Sequence, residues 1–368
     1  MSAEPSGISL YENAVPSFVE PALETLYEHV FSSMPQFRIY NGIDGNTHTY
    51  VARDRGRTTA VLLFRCEGRH IKVLNEQIAM TSTAIERFAG HVFEKYGNAD
   101  TITFPAIRSD TRKLALPCQE FYRTEDIVLR LPATPDDYLA RLGKATRKNM
   151  KYHGNRLRRN FPDIQYRLYL DGEIAGEHVR NIIELNRARM ATKNKSSDID
   201  DAESERLVRL VQQSGLVSVM MHGGRVVAGT VCSRVGANYF MHINAHDPAY
   251  DDARLGKLCC FQTINDCIAR GGKEFHFMWG RFEYKYLLLG VQQDFNELVI
   301  YRSRAHLLLN GRSALRTAIN GYRREWKFRL LDLADHPENG NLGARAVARL
   351  LNHLRNMKRA GMAVPQRH

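Results

Sequence analysis

The chain has 368 residues, of which 43% are hydrophobic and 25% are charged, a composition that is typical of soluble globular proteins and excludes a collagen-like fibre or a wholly disordered chain. At about 150 residues per domain, this length predicts two domains, or two domains and an appendage. Basic residues outnumber acidic ones by 52 to 40, for a formal net charge of +12, and this excess favours an anionic partner such as nucleic acid, an acidic membrane or a phosphate-bearing cofactor.

The sequence shows no signal for export or membrane insertion. No apolar run approaches the roughly 18 to 20 residues that cross a bilayer, and Glu4 and Glu12 near the N-terminus do not fit a secretory leader. The six cysteines have no CxxC spacing, which argues against a zinc ribbon or a disulfide framework. We therefore expect a cytoplasmic protein with reduced thiols, no transmembrane segment and no metal.

The first third of the chain alternates β-rich runs with turns and then becomes helical. The turns hold Gly56 and Gly68, which suit hairpins. Thr81 or Ser82 can cap a helix that ends at Gly97. The predicted strands are residues 50–52, 58–66 and 70–74 before this helix and residues 101–107 after it.

A basic helix follows. Thr134 and Pro135 form a sound helix start, with a capping oxygen and a proline at the first position. Residues 141–160 then carry eight basic side chains and no acidic one. Further helices are predicted over residues 172–191 and 203–213, with a polar surface loop at 193–205. The last sixty residues read as mostly helical and basic.

The order of elements in the first third recurs after residue 215. Strands are predicted at residues 216–221, 225–233 and 239–244, a helix at 258–270 and a last strand at 274–278. Finding a meander, a helix and a strand twice predicts a duplicated α/β module, although the residues themselves barely match.

Residues 251–258 join a strand to a helix start and hold Gly256 between basic side chains. A helix N-terminus offers unpaired N–H groups and a partial positive charge. Gly256 either lets an anion approach the backbone or supplies a positive φ. Pyrophosphate binding is the functional interpretation, and a plain turn is the alternative. Residues 80–83, the matching place in the first copy, lack both glycine and basic residues. The predicted cofactor-binding residues are Arg254, Leu255, Gly256, Lys257 and Leu258.

The strand at 274–278 leads into a polar loop, and ligands of α/β sheets commonly lie beside such strand ends. Gly280, Tyr284 and Lys285 match a Gly-x-x-x-Tyr-Lys signature, and an Arg-rich helix with Arg147 and Lys148 precedes the module. In these features the chain resembles GNAT acyltransferases of the CelD and FemAB-like branch. The resemblance implies an α/β fold of two tandem GNAT-like mixed-sheet modules with a basic helical C-terminal extension. The expected units are a non-catalytic module at 1–135, a catalytic module at 136–305 and a tail at 306–368.

The resemblance also implies amide-forming acyl transfer from acyl-CoA, such as acetyl-CoA, to a small amine or sugar substrate. The attacking amine must be neutral and the leaving group must be protonated, so the site needs a base and an acid, while backbone donors polarise the carbonyl. The candidate bases are Glu283, His276, His242 and Asp247, and the candidate acids are Tyr284 and Tyr286. Lys285 is a further catalytic candidate, which could bind a phosphate or a substrate carboxylate. The candidate substrate contacts are Gly280, Arg281, Arg147 and Lys148.

Each of these assignments has a plainer alternative. His276 shares a strand face with Met278 and would be a satisfied core residue if that face is packed. Glu283 could pair with Arg281 or Lys285, and Lys285 could form a salt bridge instead of contacting an anion.

The sequence also leaves the identity of the acyl donor undecided, because the family's acyl-CoA loop usually has more than one glycine or small residue and this chain has the single glycine Gly256. A FemAB-like transferase would use aminoacyl-tRNA, with the basic helix on the RNA backbone. A third possibility is a non-enzymatic protein that binds nucleic acid or a membrane surface.

Overall fold

The computed structural model describes residues 7–40, 42–192, 197 and 199–335, with side chains left out of the description at 113 and 327–335. Its strands join in one mixed sheet. The strands are β1 (Gly7–Tyr11), β2 (His48–Asp54), β3 (Arg57–Glu67), β4 (His70–Val73), β5 (Ile78–Ala79), β6 (Thr101–Arg108), β7 (Cys118–Arg130), β8 (Gln165–Leu170), β9 (Gly215–His222), β10 (Arg225–Val235), β11 (Asn238–His246), β12 (Glu274–His276) and β13 (Val291–Tyr301).

The helices lie on the two faces of this sheet and along its ends. They are α1 (Val19–Tyr27), α2 (Met34–Ile39), α3 (Ser82–Lys95), α4 (Pro135–Arg141), α5 (Lys144–Asn160), α6 (Gly176–Ala191), α7 (Asp201–Gln213), α8 (Leu255–Ala269), α9 (Glu283–Leu287), α10 (Arg304–Leu309) and α11 (Gly311–Asp335).

The predicted repeat is present, and the fold class is confirmed. In the first half β2, β3 and β4 form an antiparallel meander. β6, which follows α3 in the chain, pairs in parallel with β4. In the second half β9, β10 and β11 form the meander, and β12, which follows α8 in the chain, pairs in parallel with β11. The strand expected at 274–278 is shorter than predicted. It ends at His276 because Met278 has a φ of 59° and leaves the extended conformation.

Two long strands tie the halves together. The sheet order is β1-β2-β3-β4-β6-β13-β7-β12-β11-β10-β9-β8, with β5 paired to β6. Thus β13, from the second half of the chain, lies between β6 and β7, and β7 pairs with both β13 and β12. The domain limits at 135 and 305 stay predictions, and residues 336–368 of the expected tail lie outside the described part of the chain.

Apolar side chains at helical spacing position the helices. Thr81 caps α3, which buries Ile85, Phe88 and Val92 against the first half of the sheet. In the second half, α8 covers one face through Cys260, Ile264 and Cys267. On the opposite face, α6 and α7 contribute a second cluster that includes Val179, Ile182, Val208 and Val211. Each such buried side chain contributes roughly 1.5–3 kcal/mol.

The predicted basic helix is two helices. Thr134 accepts a hydrogen bond from the Asp137 N–H at 3.1 Å, and Pro135 is the first residue of α4, as predicted. The chain then breaks at Leu142 and Gly143 before α5 begins. The loop expected at 193–205 lies partly outside the described residues, and α7 already begins at Asp201. No helix in the described ranges is long and apolar enough to cross a membrane.

Candidate active site

β11 and β12 separate soon after they meet. Asn238 to Phe240 pair with Glu274 to His276, and β11 continues to His246. The chain that follows β12 turns towards β7 instead, because the Phe277 N–H donates to the Ile127 carbonyl at 2.8 Å. An opening therefore lies between the carboxyl half of β11 and the segment after His276.

A bulge shapes β11 beside this opening. Val231 of β10 pairs with Ile243, while the next residue, Cys232, pairs with Met241. His242 is thus the extra residue of a β-bulge, a feature that re-aims the side chains that follow it. Met241 lies in the cluster under α8, whereas Ile243 lies in the cluster under α6 and α7.

The matching strands of the first half stay together. β4 pairs with β6 near its start, from His70 opposite Thr101. The two residues of β5 then pair with Ile107 and Arg108 at the end of β6. The first half therefore closes the place where the second half is open.

The two matching helices also start differently. The N-terminus of α3 is capped by the Thr81 hydroxyl, which accepts from the Ala84 N–H at 3.2 Å. α8 follows Arg254, which is left-handed with a φ of 54°, and has no side-chain cap. The first N–H groups of a helix have no acceptor inside it. The Lys257 N–H already donates to the Arg254 carbonyl at 3.0 Å, so an anion at the start of α8 would meet the N–H groups of Leu255 and Gly256.

Gly256 is needed for close packing rather than for its φ. The positive φ expected as one possibility at Gly256 occurs instead at Arg254. A Cβ at Gly256 would lie 2.6 Å from Nδ1 of His246, whose Nε2 lies 2.7 Å from an Asp251 carboxylate oxygen. The imidazole of His246 thus rests against the first turn of α8.

Basic side chains from two helices meet beside this turn. Burial lowers the pKa of His153 in α5, and the nearby charges of Arg254, Arg156 and Lys257 lower it further. Arg156 also donates to the Asp252 carbonyl at 3.3 Å. α5 therefore brings positive charge to the start of α8, where Asp252 neutralises part of it.

A groove of about 880 Å³ runs between α5 and α8. Met150 and Leu157 of α5 and Leu258 and Phe261 of α8 form its apolar floor. Two predicted substrate contacts, Arg147 and Lys148, lie on its rim with other basic residues. The basic side chains that line the groove are Lys144, Arg147, Lys148, Lys151 and Arg158.

Tyr284 reaches the carboxyl half of β11. Its phenol lies beside Asn244, and burial raises the pKa of the phenol well above the usual value. It is therefore protonated at neutral pH and can donate a proton. His242 accepts or donates at 2.8 Å to Ser233 Oγ, and burial lowers its pKa to about 4, which makes it neutral and a weak base.

His276 belongs to a buried chain of polar groups. Its Nδ1 lies 2.6 Å from Oδ2 of Asp126, and Nε2 of His29 lies 3.5 Å from the same oxygen. Burial opposes the charge on His276, but the hydrogen bonds to Asp126 and Glu274 outweigh it and raise the pKa to about 8. Burial would raise the pKa of Asp126, but the two histidines hold it below its usual range. His276 is therefore buried in the core, in agreement with the interpretation of this histidine as a core residue.

These three residues also offer ligand atoms within 4.8 Å of one another. However, Nδ1 of His29 accepts a hydrogen bond from the Phe31 N–H at 3.3 Å. A neutral His29 ring therefore carries its proton on Nε2, which faces Asp126 and cannot bind a metal in that form. In the described part of the chain His276 is hydrogen-bonded to Asp126, whereas Nε2 of His29 and Nε2 of His276 have no hydrogen-bond partner.

Lys285 is buried and directed at the backbone. Its Nζ donates to the carbonyls of Phe277, Met278 and Trp279 at 2.8, 3.2 and 2.6 Å. Burial lowers its pKa to about 8. All three donors of the ammonium have acceptors, so this geometry favours a role in holding the chain after β12 and not a contact with an anionic ligand.

The remaining loop residues are held by β7 or exposed. Gly280, with a φ of 93°, donates its N–H to Glu125 at 3.0 Å, and Arg281 Nε lies 3.7 Å from the same carboxylate. Glu283 and Tyr286 are exposed on α9. Asp247 accepts from the Ala249 N–H at 2.9 Å and caps a short turn.

The predicted residues therefore fall into groups. Arg254 to Leu258 lie at the start of α8, and Tyr284 and His242 lie at the carboxyl half of β11. Arg147 and Lys148 line the groove between α5 and α8. The sequence prediction did not single out several residues that contact or lie beside these groups: His29, Glu125, Asp126, Asn244 and His246.

Residues 144–286 match the family model described as an acetyltransferase (GNAT) domain. The structure is similar to that of FemX, with a TM-score of 0.57, 8% identity and coverage of 78% of this chain and 96% of that one. It is also similar to a conserved protein of unknown function from Bacteroides thetaiotaomicron, with a TM-score of 0.53, 13% identity and coverage of 80% and 100%. A tandem GNAT protein from the clavulanic acid biosynthesis pathway matches with a TM-score of 0.38, 10% identity and coverage of 80% and 98%.

A comparison with curated proteins gave no match. At these identities the likeness to solved structures concerns the fold alone. The chain has the predicted GNAT fold, and residues 144–286 match the model of an acetyltransferase domain. Membership of the CelD or FemAB-like branch stays a prediction.

Proposed function

We propose that the protein transfers an acyl group from acyl-CoA to an amine, with the donor in the opening between β11 and β12. One observation carries this proposal, namely the contrast between the two halves. In the second half the parallel strands separate and the adjoining helix starts uncapped among Arg254, Lys257 and Arg156. In the first half the strands stay paired and Thr81 caps the helix.

The geometry suggests how the parts act. The pyrophosphate of the donor would lie on the N–H groups that start α8, with Arg254 and Lys257 adding charge. The thioester would then enter the opening, where the amine nitrogen attacks its carbonyl carbon and the C–S bond breaks. Tyr284 would give its proton to the leaving thiolate. Water would accept the proton of the amine, because His276 is buried, hydrogen-bonded to Asp126 and, with a pKa raised to about 8, mostly protonated near neutral pH.

The acceptor is the less defined part of the proposal. The family resemblance suggests an amine on a sugar or an envelope-polysaccharide precursor. We propose a cytoplasmic reaction on such a small amine, with no metal.

Calorimetric titration with acetyl-CoA tests the donor site. If these side chains make charge-assisted contacts, Arg254→Ala with Lys257→Ala should weaken the binding free energy by roughly 1 to 3 kcal/mol, which raises the dissociation constant about 5- to 150-fold. Arg87→Ala with Lys95→Ala removes the same charge from α3 in the first half and should leave binding unchanged. Equal weakening in both variants, or normal binding in the first, would contradict the proposal.

A second candidate donor is aminoacyl-tRNA, which the exposed basic face of α5 favours. Arg147, Lys148 and Lys151 are exposed on this helix, and the helix lies beside the proposed donor opening. If they bind RNA phosphates, replacing all three with glutamine should flatten the log–log salt dependence of tRNA binding by up to about one unit per residue. Wild-type binding that is weak and insensitive to these changes would exclude this donor.

A further inference from the structure

An apolar stripe is exposed on the C-terminal helix α11. Leu315, Ile319, Tyr322 and Trp326 follow one another at spacings of four, three and four residues, which places them on one helix face. Their exposed fractions lie between 46% and 61%. Leu308 and Leu309 on the preceding α10 are exposed by 80% and 77%.

Among the described residues most of this face is exposed. α11 is held against the sheet by its other side, where Ala314 is buried and the Arg324 side chain donates to the Tyr122 carbonyl at 3.0 Å. Gly321 lies so close to Phe121 that a Cβ would come within 2.3 Å of its ring. Tyr322 of the stripe also reaches back, with its ring 5.3 Å from that of Phe121. A contiguous exposed apolar surface of this kind marks an interaction site.

The charges beside the stripe indicate the chemistry of its partner. Arg312, Arg316 and Arg323 each precede a stripe residue by three positions and therefore border the stripe. All three are exposed. Between residues 304 and 326 the chain has five arginines and a single acidic residue, Glu325.

We propose that α10 and α11 lie on an anionic lipid surface, with the apolar stripe at the headgroup and acyl-chain boundary and the arginines on lipid phosphates. A helix with one apolar face and a basic border binds membranes in this orientation. Tyr322 and Trp326 suit it, since such rings combine an apolar body with a polar edge. A second copy of the chain fits less well, because a two-fold interface on this face would bring arginines against arginines.

Tryptophan fluorescence provides a local test, because the chain has only two tryptophans, Trp279 and Trp326. In the full-length Trp279→Phe variant, Trp326 is the sole reporter. Vesicles containing phosphatidylglycerol should shift its emission to the blue, and brominated lipids should quench it. Phosphatidylcholine vesicles should do neither, and raised salt should reverse the binding. Vesicle binding without a change at Trp326 would place the lipid contact elsewhere and overturn the proposal.

Vesicle flotation of full-length variants tests the two components of the surface. Leu315→Glu with Ile319→Glu should abolish flotation with phosphatidylglycerol vesicles. Replacing Arg312, Arg316 and Arg323 with glutamine should weaken it by about 100-fold, at roughly fivefold per arginine. Tyr152→Glu is the matched control, because Tyr152 is 56% exposed on the other basic helix, α5, and should change nothing.

Three outcomes would refute a lipid role. They are an equal loss in the Tyr152 control, no flotation of the wild-type protein at low salt, and a wild-type dimer that the Leu315/Ile319 variant dissociates. Thermal unfolding confirms that each variant is folded. If the glutamate variants do not fold, the Trp326 emission of the Trp279→Phe protein decides alone.

Discussion

Replacing Lys285 with methionine separates a structural role from a ligand contact. Lys285 is 3% exposed, and its ammonium donates to three consecutive carbonyls, from Phe277 to Trp279. These carbonyls belong to the turn at which the chain leaves β12. Methionine has a similar length but no donor, so the variant leaves the carbonyls without their partner.

The expected loss follows from this geometry. Each buried carbonyl left unpaired costs roughly 1–3 kcal/mol. Relief of the buried charge offsets part of this, since burial lowers the pKa of Lys285 to about 8. We expect Lys285→Met to lower the free energy of unfolding by about 2–4 kcal/mol in urea titrations. The control Lys273→Met, at an exposed lysine, should stay within about 0.5 kcal/mol of wild type.

Acetyl-CoA binding, measured where the variant is still folded, completes the test. A structural lysine predicts a normal dissociation constant. If Lys285→Met is as stable as wild type but binds acetyl-CoA at least tenfold more weakly, the ammonium contacts an anionic group and the structural reasoning is wrong.

Two further substitutions probe the packing and the titration of the site. Gly256→Ala should lower the free energy of unfolding by about 1–3 kcal/mol, because its methyl would lie 2.6 Å from Nδ1 of His246. Adding His246→Ala should recover part of this loss in a double-mutant cycle measured by urea titration. Strictly additive effects of the two substitutions would contradict the contact. The pKa of His276 is raised from 6.5 to about 8, so its stabilising effect is fully present below pH 6.5 and is lost as the pH rises through 8. About 2 kcal/mol of unfolding free energy should disappear over that window, and an identical slope in His276→Gln would assign it to another group.

Local signals explain what the sequence predicted well. Thr81 and Thr134 cap α3 and α4 because a hydroxyl before an apolar helical pattern can satisfy a nearby N–H. The meander strands are bounded by glycine turns, and their alternation depends on neighbouring residues only. The helix predicted at 258–270 begins three residues earlier, at Leu255, so that Gly256 lies in its first turn and not in the preceding loop.

The missed parts depend on distant contacts. β7 carries Glu125 and Asp126 just before an apolar run, and such charges argue against a central strand. They are tolerated because His276, 150 residues away, pairs with Asp126 and because Gly280 donates to Glu125. In the sequence, the signal for this arrangement is the acidic pair Glu125 and Asp126 directly before the apolar residues 127–129. Likewise, only the bulge in β11 and the packing of His246 reveal why Gly256 is small.

Hydrogen–deuterium exchange with and without acetyl-CoA tests the central claim, that the donor binds in the second half of the sheet. The account predicts ligand-induced protection in the carboxyl half of β11, at the start of α8 and around Tyr284. It also predicts unchanged exchange at residues 78–84, the matching place in the first half. Protection at residues 78–84, or no protection at the start of α8 under saturating acetyl-CoA, would contradict it.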